Sequence, residues 1–140
     1  GLIQVLSSMM YPIIKRLFPE VPKDHPALGS IALNFSANML GLGNAATPFG
    51  LKAMKELQEL NKDKEVATDA MCMFLVVNTS SIQLIPTTVI ALRASLGSME
   101  ATSIIISSLI ATTISTIIGV IIALTLRRRS DKRERNKAYA

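Results

Sequence analysis

Charged residues are absent from three stretches of this chain, Ala27 to Leu51, Ala70 to Leu92 and Ala101 to Leu126. Each reaches the roughly 17–25 residues that a helix needs to cross a bilayer. The first two are not plain anchors. The centre of the first reads Asn34-Phe-Ser-Ala-Asn38-Met-Leu-Gly-Leu-Gly-Asn44-Ala-Ala-Thr47-Pro48, placing amides, two glycines and a proline where an anchoring helix would avoid them. Gly41 and Gly43 permit backbone angles other residues resist, and Thr47 before Pro48 reads as an N-cap with proline at the first helical position. A helix starting at Pro48 is expected to run to Leu60 and to leave the apolar zone near Lys52. The second stretch holds Asn78, Thr79, Ser80, Gln83 and Thr87, with Pro86 in its interior, and is expected to unwind near Ile82 to Pro86.

The remaining pattern connects these segments. Gly1 to Phe18 reads as a helix kinked at Pro12, with Lys15 and Arg16 at a membrane edge. Three prolines make Pro19 to Pro26 a rigid connector, and Asn61 to Asp69 reads as a solvated mixed-charge loop. Along the last stretch Ser107, Ala111, Ser115, Gly119 and Ala123 recur every four residues, a face that needs a close helical neighbour, within the chain or from another subunit. Its many β-branched residues raise the question of a barrel strand, but the run is uniformly apolar or small where a barrel strand would alternate. The expected fold is all-α: a polytopic helical membrane protein with two broken or re-entrant helices.

Charge sharpens the orientation. The net charge of +5 comes entirely from the segment after Leu126, since acidic and basic residues balance before it. Arg127-Arg-Arg129 directly follows an apolar run, which marks a cytoplasmic C-terminus by the positive-inside rule. No aromatic stacking residue or reading motif accompanies this tail, so nucleic acid is not an expected partner; membrane lipid is. Full spans are the expected arrangement, placing Pro19 to Pro26 and Ala94 to Glu100 outside and Lys52 to Asp69 with the tail in the cytoplasm. A re-entrant hairpin turning at Gly41 to Asn44 would instead return the connector to the cytoplasmic side.

Catalytic chemistry has little to work with. There is one His, in a proline-flanked turn, and one Cys, in an apolar run, while every acidic residue lies outside the uncharged stretches. No acid/base pair, metal cage or cofactor set results, and the chain reads as a non-enzyme. Gly41-x-Gly43-x-x-Ala46 matches a dinucleotide fingerprint without the required strand, and the two glycosylation patterns at Asn34 and Asn78 lie inside apolar runs. The polar set Asn34, Asn38, Asn44, Thr47, Asn78, Thr79, Ser80, Gln83 and Thr87 is either interhelical glue or a neutral hydrogen-bonding pocket for a ligand or ion. Paired Gly/Pro-interrupted segments favour the pocket, and Asn38, Pro48, Lys52-Ala53 against Asn78, Pro86, Arg93-Ala94 form a loose internal repeat.

The blocks Asn34-Phe-Ser-Ala-Asn38 through Pro48-Phe-Gly-Leu-Lys-Ala-Met54 and Phe74-Leu-Val-Val-Asn78 through Pro86 to Arg93, with Leu17-Phe-Pro19 and Asp24-His25-Pro26 before them, carry a resemblance. Together they resemble the nucleoside recognition, or Gate, domain family, in its spore maturation branch. The resemblance implies an integral membrane protein of the bacterial inner membrane and kinship with membrane domains of nucleoside and ferrous-iron transporters. It further implies a role in dehydration of the spore core beside a sister membrane protein of the spore maturation protein B type. Residues 1–126 would form the Gate-like domain, lacking an N-terminal part that family members carry, and residues 127–140 a basic cytoplasmic tail. Two functions are expected in competition: a transport or permeation component, or a non-transporting structural or assembly subunit, with a homo-oligomer as a further expectation.

Overall fold

The computed structural model describes the backbone of residues 1–138; the side chains of Asp131 and of residues 133–138 are outside the description. The part of the tail's charge expected from Asp131, Arg133, Glu134, Arg135 and Lys137 therefore lies outside the described residues. Helices are α1 (Leu2–Leu17), α2 (Pro26–Met39), α3 (Gly43–Leu60), α4 (Asp69–Thr79), α5 (Thr87–Ser95) and α6 (Ile104–Ala138), with one 3₁₀ turn at Ala101–Ser103. Among the described residues there is no strand, so the all-α expectation holds. One helical stretch, Ala101–Ser130, is long and apolar enough to cross a membrane by itself.

A core of Ile14 and Phe18 from α1, Leu28, Ile31 and Phe35 from α2, Ala53 and Leu57 from α3, and Met73, Phe74 and Val77 from α4 holds the first four helices together. Phe35 stacks on Phe74 at 5.8 Å and meets Phe18 at 6.4 Å, so one aromatic row links three helices. Proline-rich geometry shapes the connector. Pro26 is the first helical residue of α2, His25 caps it by accepting from the Ala27 N–H, and Tyr11 donates its hydroxyl to the Lys23 carbonyl. Pro12 is accommodated inside α1.

The first broken stretch is a hairpin. α2 ends in a Schellman motif in which the Gly41 N–H donates to Asn38 O and the Leu42 N–H to Ala37 O, with Gly41 at φ +71°. Asn34 then reaches both Ala46 and the space beside Gly50. Two helices leaving a three-residue turn can touch that far from it only by folding back on each other. The continuous span expected for Ala27 to Leu51 is thereby corrected to a helical hairpin turning at Gly41. The expected helix start at Pro48 is corrected as well, since α3 begins at Gly43 and Pro48 lies inside it. Thr47 is not a cap: its hydroxyl donates back to Gly43 O at 3.1 Å. Gly43 has ordinary helical backbone, so of the two expected glycine breaks only Gly41 needs a left-handed residue.

The second stretch unwinds as expected, over residues 80–86, two residues earlier than Ile82. α4 packs antiparallel on α6: Asp69 and Cys72 share a groove with Leu126 and Arg127, while Val76 and Ser80 lie against Gly119. The row of small residues on α6 is corrected in part. Gly119 and Ala123 pack inward, but Ser107, Ala111 and Ser115 are exposed. Residues four apart drift about 40° around a helix, so the row winds off the contact face within three steps.

The connector also lies where full spans would not put it. The Glu20 carboxylate is 3.1 Å from the Arg127 guanidinium, which sets Pro19 to Pro26 beside the start of the tail.

Candidate functional site

The two backbone breaks meet. The Leu84 N–H donates to the Met39 carbonyl at 2.8 Å and the Thr87 hydroxyl to the Gly41 carbonyl at 2.6 Å. Groups freed where α2 ends are thus taken up by groups freed where α4 has unwound. On its other side the unwound segment is held by α6, where Thr116 donates to the Ser80 carbonyl and Thr112 accepts from the Gln83 N–H. Such pairing is what irregular backbone requires in an apolar surrounding, where each orphan group costs several kcal/mol.

Beside this junction runs a chain of amides. Asn38 donates to Asn78 Oδ1 at 2.7 Å and to Asn34 Oδ1 at 3.4 Å, and buried Asn34 donates to Ala46 O at 2.9 Å. Among the described residues no protein group takes Asn38 Oδ1 or Asn78 Nδ2. They border a cavity of about 320 Å³ lined by Asn34, Asn38, Thr47 and Asn78 on one side and by Leu51, Met54, Phe74 and Leu75 on the other. A smaller cavity, about 120 Å³, lies across Asn38 and is lined by Gly41, Gly43, Gln83, Pro86, Thr87 and Thr88. Neither lining holds a charged residue. The chemistry offered is neutral donors and acceptors opposite an apolar wall, suited to a polar uncharged solute.

Six of the nine expected polar residues therefore converge: Asn34, Asn38, Thr47, Asn78, Gln83 and Thr87. Asn44 is exposed on the outer side of α3, and the hydroxyls of Thr79 and Ser80 bond back to their own helix at Leu75 and Val76. Sequence reasoning missed Thr112 and Thr116, which share the expected packing helix but brace the break. It also missed Gly50, where a Cβ would come within 2.8 Å of Asn34 Nδ2. The signal was present: Gly43, Ala46, Gly50 and Ala53, spaced by three, four and three residues, put small residues on one face of α3.

Comparison with known proteins gives the family. The family model described as Gate, nucleoside recognition, matches residues 1–96. The chain is 48% identical over 135 residues to spore maturation protein A of Bacillus subtilis (strain 168), a match covering 96% of this chain and 69% of that protein. No solved structure matches.

Proposed function

Since this chain belongs to the nucleoside recognition (Gate) family, we propose that it is a multi-pass protein of the bacterial inner membrane and a non-enzymatic transport or permeation component acting in spore maturation. Its solute site is the amide-lined cavity where the hairpin meets the broken helix. The observation carrying this reading is the Asn38–Asn78 hydrogen bond between two interrupted helices, beside a charge-free cavity. Thr112 and Thr116, which brace the break, lie near the middle of the apolar run of α6. The site therefore sits near the bilayer midplane, and the role it supports is solute or water movement during core dehydration. Full-length protein reconstituted in liposomes with its sister protein should show solute or ion flux that Asn38→Leu with Asn78→Leu abolishes while leaving folding intact. Unchanged flux in that double variant would reject the pocket.

The same depth supports a topology. α4, about 16 Å long, carries the chain from the tail side to the midplane, and α5 carries it onward to the opposite surface. α2 and α3 turn at the same depth and return. Of the 15 Lys and Arg residues, all except Arg93 then lie on the tail side, the asymmetry expected of a cytoplasmic face. With cysteines placed at Lys23 or Ser98 in a Cys72→Ala background, an impermeant reagent outside intact cells should label Ser98→Cys alone. Labelling at Lys23→Cys would restore the full span.

One observation favours the assembly-subunit reading. Asn44 and Thr47 are exposed on α3 at membrane depth, where lipid would be an expensive neighbour. That face fits a protein partner, a sister subunit or a second copy. Loss of co-purification on Asn44→Leu, with flux never detected from the pair, would select this reading over transport.

A further inference from the structure

Away from the amide cavity, α4 and α6 leave between them, toward the tail side, a groove of about 360 Å³. Its wall is apolar, built from Met73, Val76, Gly119, Ile122, Ala123 and Leu126, and its mouth carries Asp69, Arg127 and Ser130. Gly119 sets its depth: a Cβ there would stand 3.1 Å from Val76 Cγ1. Arg127 follows the last apolar residue of α6, so in the membrane orientation argued above the mouth lies at the headgroup level and the apolar wall at the level of acyl chains.

The geometry points to a lipid site: one acyl chain of a glycerophospholipid lies along α4 and α6, with its head bound at the mouth. The two charges there select the head. Arg127 is engaged by Glu20 through Nε, and its remaining guanidinium N–H groups suit a phosphate oxygen, with the Ser130 hydroxyl alongside. Asp69 is an acceptor that repels a purely anionic head and receives an ammonium. A head that joins a phosphate to a primary ammonium, as in phosphatidylethanolamine, satisfies both. A glycerol head offers Asp69 only neutral hydroxyls and no compensating positive charge, and a choline head has no N–H to donate.

Cys72 is exposed and lines the groove, so it reports occupancy. Full-length protein is stripped of lipid in detergent and treated with N-ethylmaleimide while dioleoyl phosphatidylethanolamine, phosphatidylglycerol or phosphatidylcholine is titrated in. Modification at Cys72 is followed by peptide mass. Phosphatidylethanolamine should protect Cys72 at about tenfold lower concentration than the other two, the equivalent of one charge-assisted hydrogen bond. Asp69→Asn should erase that preference, and Arg127→Gln should weaken protection by all three lipids. Glu20→Gln breaks the same ion pair yet should keep protection, which separates lost binding from lost structure. Equal protection by the three lipids overturns the headgroup match, and no protection by any overturns the groove as a lipid site. Protection that rises with protein concentration and needs no lipid gives the groove to a second copy and overturns it too. The inference rests on α6 crossing a bilayer, and carbonate extraction tests that separately. An extractable protein fails the membrane reading, whereas a membrane-resident protein with unprotected Cys72 fails the lipid site alone.

Discussion

Gly41→Val should abolish function and cost about 3 kcal/mol or more of stability, by adding two penalties at one point. Gly41 stands at φ +71°, where any L side chain costs about 1–2 kcal/mol and a β-branched one more. Its new Cβ would also overlap the Ile85 carbonyl oxygen and lie 2.8 Å from Thr87 Oγ1, the group that holds the Gly41 carbonyl. The hairpin and the unwound segment cannot both keep their places. Gly43→Ala is the control, because that position has helical backbone and open space around a Cβ. It should be neutral or slightly stabilising, by up to about 1 kcal/mol. Unfolding of purified protein by chemical denaturant, together with complementation of spore maturation, measures both. Equal losses in the two variants would mean that neither the left-handed backbone at Gly41 nor its contact with Ile85 and Thr87 sets the cost.

Asn34→Asp should be nearly as damaging, although it changes the side chain by one atom. Asn34 is 2% exposed and donates to the Ala46 carbonyl at 2.9 Å. A carboxylate there turns that donor into a second acceptor and adds a charge at the membrane depth proposed for the site, with no cation in the cavity lining. Placing Asp at such a depth costs about 2.5–3.5 kcal/mol on insertion scales, so the variant is expected either to misfold or to hold its carboxyl protonated. Asn34→Leu loses the same hydrogen bonds without a charge and should cost only about 1–2 kcal/mol. The gap between the two, read from denaturant midpoints at neutral pH, should close as pH falls and the carboxyl takes up its proton. A gap that persists in acid would place the cost in shape and not in charge.

Much of this was legible in the residues. Glycine, proline and amides inside uncharged stretches marked both breaks, and Pro86 with its flanking polar residues located the second to within two positions. The family resemblance rested on the same residues and is shown by the comparisons. What could not be read was how the breaks are used. An interruption at Gly41 is compatible with a bent span or a hairpin, and the choice is made by contacts distant in sequence, Asn34 with Gly50 and Glu20 with Arg127. Thr47-Pro48 looked like a helix start because local propensity favours one. The Schellman turn at Gly41 had already allowed the helix to begin at Gly43, leaving Pro48 to forgo a single backbone bond. On α6 the four-residue repeat was real, but its drift left only Gly119 and Ala123 of that row against α4, while Thr112 and Thr116 from a neighbouring row meet the unwound segment.

The meeting of the two breaks has a consequence for how the protein is made. The Gly41 carbonyl finds its partner in Thr87, 46 residues later, and the Ser80 carbonyl finds its own in Thr116, 36 residues after Ser80. At synthesis rates of about 5–20 residues per second, the hairpin tip exists for about 2–9 s before its partner has been translated, and the second break waits again. During that interval neither tip can be released into hydrocarbon without orphan carbonyls. In the topology proposed above, the hairpin is held at the water interface or inside the insertion machinery until α5 emerges, and the second break until α6 follows. Insertion is therefore a late, concerted event, and a ribosome stalled before residue 116 would leave a nascent chain that quality-control proteases can reach.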